Sequence, residues 1–252
     1  MQNLKGKVAL VTGAARRIGA VTLRALHQAG ATVIIHYRHS AGEAETLANE
    51  LNALRKDSCF LQQADLLDIS GFPKMIESIL QKTARLDILV NNASSFYATP
   101  LGEINEEDWQ NLVGSNLKAP LFLSQAASSE LIKNQGCIVN MIDIYGIRPL
   151  PKHTVYSSAK AGLLMLTRSL AAELGPQVRV NGVAPGAILW PEQADSSEEQ
   201  KKAQKALLEK TCLKRQGKPE DIAKAILFLV CDADYISGHV IPVDGGRLVI
   251  DY

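Results

Sequence analysis

The stretch that most limits how this chain can fold is VALVTGAARRIG, from Val8 to Gly19. An apolar run ends in a Thr-Gly turn, and a closing glycine opens an amphipathic segment. A strand that passes through a glycine turn into a helix gathers free backbone N–H groups and the positive end of the helix at one point, which suits a phosphate. Gly13 and Gly19 bracket the turn, with Arg16, Arg17 and Ile18 at its end. The middle glycine of the usual dinucleotide fingerprint is absent, so the turn alone also fits an ordinary strand-to-helix connection.

The rest of the chain repeats the pattern. Ile18, Val21, Ala25 and Ala29 fall on one helical face, and Gly30 supplies a stop. Strands are predicted at residues 7–11, 31–37, 59–63, 86–91, 137–142, 178–183 and 239–243, and helices near 72–81, 106–134, 156–174 and 219–230. Short, continuously apolar strands between amphipathic helices imply an α/β, doubly wound parallel sheet of about seven strands with helices on both faces, a Rossmann-like single domain over residues 1–252. One polar insertion interrupts the series. Its EEQKKAQKALLEK portion, within Glu192 to Lys210, reads as an exposed helix. The surrounding segment, 187–212, follows the sixth strand, where loops cover ligands in such sheets. Trp190 in this segment either lines a pocket or anchors the loop.

Composition narrows the partners. With 27 basic and 26 acidic residues in 252, a net charge of +1 and no long single-sign block, neither nucleic acid nor an anionic membrane is implied, and a small molecule is the expected partner. No apolar run approaches the roughly 18–20 residues of a membrane span, and MQNLKGK leads straight into a strand, so a cytoplasmic protein is expected. Cys59, Cys137, Cys212 and Cys231 are too scattered for a metal site or a disulfide framework, and buried free thiols are predicted.

The second strand ends in His36, Tyr37, Arg38, His39 and Ser40. An acid usually sits here to hold the ribose hydroxyls of NAD, whereas a 2′-phosphate needs cations and donors. Arg38, His39 and Ser40 supply them, which points to NADP(H); the alternative is a solvated basic turn. Asp65, followed by Leu66 at the end of the third strand, serves either as an acceptor for an adenine amino group or as a helix N-cap. Asn91, Asn92 and Ala93 end the fourth strand where the sheet order should reverse, and the amides there tie strands together, contact the nicotinamide ribose, or both.

Tyr156 and Lys160 are four residues apart and share a helical face, so the ammonium would lower the phenol's pKa and make it a usable acid near neutral pH. Asp143 ends the preceding strand, so the three should converge at the carboxyl edge of the sheet.

These residues carry a resemblance over nearly the whole chain. TGAARRIG, NNA at Asn91, Asn116 in SNLKAP, YSSAK at Tyr156, RVNGVAPG from Arg179 through Pro185 to Gly186, and PVDGG at Pro242 resemble the short-chain dehydrogenase/reductase family. The resemblance implies that Tyr156 donates a proton, that Lys160 lowers its pKa and holds the ribose hydroxyls, that Asn116 positions a relay water, and that the enzyme is a homotetramer. Arg17 for the middle glycine, Ser94 after NNA, and Asp143 for the usual serine, together with Ser95-Phe96-Tyr97 and HYRHS, resemble the pteridine reductases within that family. The matching arginine there reaches cofactor phosphate and substrate, the phenylalanine stacks on the pterin, and the aspartate and tyrosine flank the reduced bonds. The expectation is therefore an NADPH-dependent reductase of pterins or folates, with Arg17, Ser94, Phe96, Asp143 and Tyr156 facing substrate. A short-chain carbonyl reductase of 3-oxoacyl thioesters or sugars is the alternative, and a non-turning-over NADP sensor a more distant one.

Overall fold

In the computed structural model, which describes residues 3–188 and 198–250, each apolar run becomes a strand of one parallel sheet. The strands are β1 (Val8–Val11), β2 (Thr32–Tyr37), β3 (Cys59–Gln63), β4 (Ile88–Asn91), β5 (Cys137–Met141), β6 (Arg179–Pro185) and β7 (Val240–Val243), in the order β3-β2-β1-β4-β5-β6-β7. All six neighbouring pairs are parallel, with Val8 opposite Thr32 and Ile88 opposite Cys137. The chain runs outward from β1 to β3 and then crosses back to β4. The carboxyl ends of β1 and β4 therefore frame a crevice, the place where such sheets bind ligands.

Parallel strands covered on both faces have no solvent side, and β1, β4 and β5 are buried at every position. Alternate residues feed two cores. Ala9, Val11, Val33, Ile35 and Val90 pack against α1 (Arg17–Gln28), α2 (Ala41–Leu54) and α8 (Pro219–Cys231). Leu10, Ile34, Leu89 and Ile138 pack on the other face against α3 (Phe72–Thr83), α5 (Ala119–Lys133) and α6 (Thr154–Leu174). Each fully buried leucine or isoleucine contributes roughly 1.5–3 kcal/mol.

Four local differences from the sequence pattern have physical causes. The buried positions of α1 include Gly19, Leu23 and Leu26, while the predicted face of Ile18, Val21, Ala25 and Ala29 is only half-buried, so the helix is turned from the expected face. Helix α2, missing from the predicted elements, buries Ala44, Leu47, Ala48 and Leu51, a helical spacing hidden among small and polar residues. The long helix over 106–134 is divided into α4 (Glu106–Val113), a π-helical stretch at Gly114–Lys118, and α5. Of the four thiols, Cys59, Cys137 and Cys231 are buried, but Cys212 is exposed and donates to the Gly246 carbonyl at 3.3 Å.

Helix α7 (Glu198–Glu209) forms within the polar insertion, with Lys202, Lys205 and Glu209 exposed. Trp190 and the start of the insertion lie outside the described residues. A short α9 (Arg247–Ile250) follows β7. At the amino edge of the sheet, buried Asp87 accepts from the Val8 N–H at 2.9 Å, from Lys7 at 3.0 Å and from Arg85 at 2.6 and 2.8 Å.

Candidate active site

The turn after β1 is built for close approach. Gly13 has a φ of +61°, and a Cβ there would sit 3.0 Å from the Ala93 Cα. A Cβ on Gly19 would lie 2.4 Å from the Gly13 carbonyl oxygen and 2.7 Å from the Asn92 side-chain nitrogen. Arg17, the first residue of α1, takes a φ of +54°. It keeps the left-handed backbone that the fingerprint glycine would supply, at a cost of about 1 kcal/mol for a residue with a Cβ. Arg16 precedes the helix without a side-chain cap, and the first turn carries no acid. The open amino end of α1, free of competing carboxylates in its own first turn, fits a cofactor phosphate.

The turn is fastened from below. The Gly13 N–H donates to His36 Nδ1 at 3.1 Å, and His36 Nε2 meets the Ala64 carbonyl at 3.2 Å. Because Nδ1 accepts, Nε2 carries the proton, and burial holds this imidazole neutral, with its pKa lowered to about 4. Asn92 spans the crevice. Its side chain donates to the Thr12 and Gly13 carbonyls at 2.8 and 3.2 Å, and the Asn92 and Ala93 N–H groups donate to Thr12 Oγ1 at 2.9 and 3.0 Å. Asn91 is a strand tie: it donates to Asn140 at 2.8 Å, and Asn140 donates to Thr167 at 2.9 Å.

At the far end of the crevice, Arg38 Nε donates to His39 Nε2 at 2.6 Å, Tyr37 is half-buried, and Ser40 precedes α2. The cations there are paired: Arg38 lies 3.6 Å from Asp65, and Arg16 lies 3.6 Å from Glu43. Both pairs are about half exposed, so each is weak enough to be exchanged for a phosphate. Asp65 also accepts from the Leu67 N–H at 2.9 Å, which gives it a turn-capping role, and Leu66 is buried beside Phe72 and Ile76. Pro185 ends β6, and the following Gly186 N–H donates to the Val243 carbonyl at 3.0 Å.

Past the carboxyl ends of β4 and β5, the remaining predicted residues meet. Asp143 follows β5 with one carboxylate oxygen accepting from the Tyr145 N–H at 2.9 Å and the other from the Tyr156 hydroxyl at 2.9 Å. Tyr156 and Lys160 stand on the first turns of α6. Phe96, about half exposed, sets its ring edge-on to Tyr156 with centroids 4.8 Å apart. Ser94 donates to Asn116 Oδ1 at 2.7 Å. Asn116 lies in the π-helical stretch and donates to the Leu112 and Ser95 carbonyls, both at 2.9 Å.

The electrostatics differ from the expected lysine-activated phenol. Burial and the adjacent carboxylate push the Tyr156 hydroxyl well above its ordinary pKa. Lys160 donates to the Met141 carbonyl at 2.8 Å, with its nitrogen 5.7 Å from the Tyr156 ring centroid. Its charge favours the ionised form of Asp143. Burial brings Lys160 itself down to about 8, against the pull of Asp143. Asp143 is raised by burial, opposed by Tyr145, Tyr156, Lys160 and Arg247.

Three residues of this region escaped the sequence pattern. His153 stacks on Phe96 with centroids 4.8 Å apart and planes inclined by 15°. Its place three residues before Tyr156, at the start of the same helix, was the available signal. Tyr145, two residues after Asp143, and Arg247, remote from it in sequence, are joined by a cation–π contact at 5.5 Å.

Residues 13–247 match the family described as enoyl-(acyl carrier protein) reductase. Pteridine reductase 1 of Leishmania tarentolae is 37% identical, with 95% of each chain covered. The 3-oxoacyl-(acyl carrier protein) reductase FabG of Thermotoga maritima is 38% identical, with 98% of this chain and 99% of that protein covered. A blue fluorescent protein from a metagenomic library, crystallised with NADPH, superimposes with a TM-score of 0.90 at 34% identity, covering 98% of this chain and 99% of that one.

Proposed function

The chain belongs to the short-chain dehydrogenase/reductase family, matched over residues 13–247, and on that basis we propose that this oxidoreductase is an NADPH-dependent pteridine reductase. The observation that carries the reading is the hydrogen bond from Tyr156 to Asp143 beneath the edge of Phe96. A simple ketone needs one proton donor. A pterin also presents ring N–H and amino groups, for which a buried carboxylate is a matched acceptor. The identity to pteridine reductase 1 supports the same reading.

The turn from Gly13 to Gly19 and the amino end of α1 would hold the cofactor's pyrophosphate, Arg38, His39 and Ser40 its 2′-phosphate, and Lys160 its ribose hydroxyls. When bound, NADPH supplies the hydride. Phe96 would cover the flat pterin, adding on the order of 1 kcal/mol of stacking beyond area burial. Tyr156, which keeps its proton at neutral pH, would give it to the ring nitrogen. The phenolate left behind would face the Asp143 carboxylate, so the nearby Lys160 ammonium is required to hold the charge. Exposed Trp109, Leu121 and Met165 on α4, α5 and α6 fit a self-associating, homotetrameric enzyme.

The FabG relative, equally similar in sequence, favours a second reading: reduction of 3-oxoacyl thioesters by the same Tyr156 and Lys160. Following NADPH oxidation with dihydrobiopterin, dihydrofolate and an acetoacetyl thioester separates the two. Turnover of a pterin or folate is expected; activity confined to the thioester overturns the pteridine assignment.

A further inference from the structure

The PVDGG segment has no part in the chemistry described so far, yet it shapes the chain next to the site. Gly245 and Gly246 both adopt left-handed backbone, with φ of +66° and +78°. Asp244 fixes the bend by accepting from the Gly246 and Leu248 N–H groups, each at 2.8 Å. A Cβ on Gly246 would lie 2.5 Å from Cys212 Sγ, so the bend is tight as well as left-handed. Its effect is to turn Arg247 inward. That side chain is only 7% exposed, and its Nε finds no hydrogen-bond partner among the described residues. The guanidinium lies over the Tyr145 ring at 5.5 Å, and the Tyr145 N–H is the group that holds Asp143.

A buried cation is costly unless opposite charge is near, and the acid linked to Arg247 through Tyr145 is Asp143. We propose that Arg247 is a positioning residue, turned inward by the double-glycine bend after β7 and seated on Tyr145 so that it holds Asp143 as a carboxylate. The groups facing Asp143 are Tyr145 from the turn after β5, Tyr156 and Lys160 from α6, and Arg247 from α9. Tyr145 and Tyr156 donate hydrogen bonds to it, and the two cations act through space. Lys160 loses its charge near pH 8. Arg247 is the second cation facing Asp143. This role concerns the protonation of Asp143 and holds whichever substrate is reduced.

The test is a direct titration of the Asp143 carboxyl by carbon-13 NMR in ligand-free protein labelled at aspartate, with Asp143→Asn used to assign the signal. Arg247→Gln is expected to raise the midpoint by about half to one unit, while Arg247→Lys, which keeps the charge, stays with the wild type. Any pH profile of turnover should show its acid limb moving by the same amount. An unchanged midpoint in Arg247→Gln overturns the proposal, and so does a rise in Arg247→Lys as large as that in Arg247→Gln. If Arg247→Gln does not fold, Arg247→Lys decides alone: a wild-type midpoint supports the role of charge, and a raised one assigns the effect to packing and overturns it.

Discussion

The backbone amide of Gly13 donates to Nδ1 of His36, so the turn that would bind phosphate is fastened to a side chain able to take up a proton. His36 titrates near its ordinary 6.5 when unfolded and near 4 when folded. Between those values the unfolded chain binds the extra proton. The stability His36 contributes is therefore complete above about pH 6.5 and lost as pH falls to about 4, a change of about 3 kcal/mol. Urea unfolding at pH 7 and pH 4.5 should show this loss, and His36→Gln should flatten it.

Arg17 separates function from stability. Arg17→Gly removes the left-handed strain and should leave unfolding stability unchanged or raise it by up to about 1 kcal/mol. Pterin turnover should fall by more than NADPH binding does. Equal losses in turnover and in NADPH affinity, measured by fluorescence titration, would reduce Arg17 to a phosphate clamp.

The alkaline limb of activity should belong to Lys160. With Tyr156 held well above its ordinary pKa and Lys160 near 8, the first group to titrate as pH rises is the lysine. The profile of kcat/KM should therefore decline with a midpoint near 8, and Lys160→Arg should move that limb upward in whatever activity it retains. Tyr156→Phe should cost at least about 100-fold in kcat by removing the proton donor.

Asp87 lies at the opposite end of the strands from the site. Asp87→Asn weakens the bonds to Lys7, Arg85 and Val8 and should destabilise the fold by about 2 kcal/mol. Below the melting range, kcat should be unchanged. Denaturant midpoints and turnover measured on the same preparation check both halves.

The sheet was legible in the sequence because its central strands are buried on both faces and appear as unbroken apolar runs, as in VALV and ILVN. Tyr156 and Asp143 could be grouped because one lies near the start of a helix and the other just beyond the carboxyl end of a strand, where topology brings chain ends together, whereas Phe96 and Asn116 joined them only through the family resemblance. What could not be read depended on side-chain direction. Lys160 shares a helical face with Tyr156, but its flexible stem carries the ammonium to the Met141 carbonyl. That Asp65, just past the neighbouring strand, lies 3.6 Å from Arg38 could not be read either, because no acid is close to Arg38 in sequence. Arg247 lies about 100 residues from Asp143 in sequence, and only the paired glycines hinted at its bend.

The π-helical stretch at Gly114–Lys118 has a consequence for the chain's numbering. A wider turn accommodates an added residue, and each residue of a regular helix advances about 100°. Helices α4 and α5 are thus out of phase with one another. Leu112, before the stretch, packs beside Val155 and Tyr156, while Leu123 and Ser124, beyond it, face the core and Asn91. Deleting a single residue here would restore a continuous helix but swing one of those two faces by about a quarter-turn, separating the floor of the reaction chamber from the sheet that carries it.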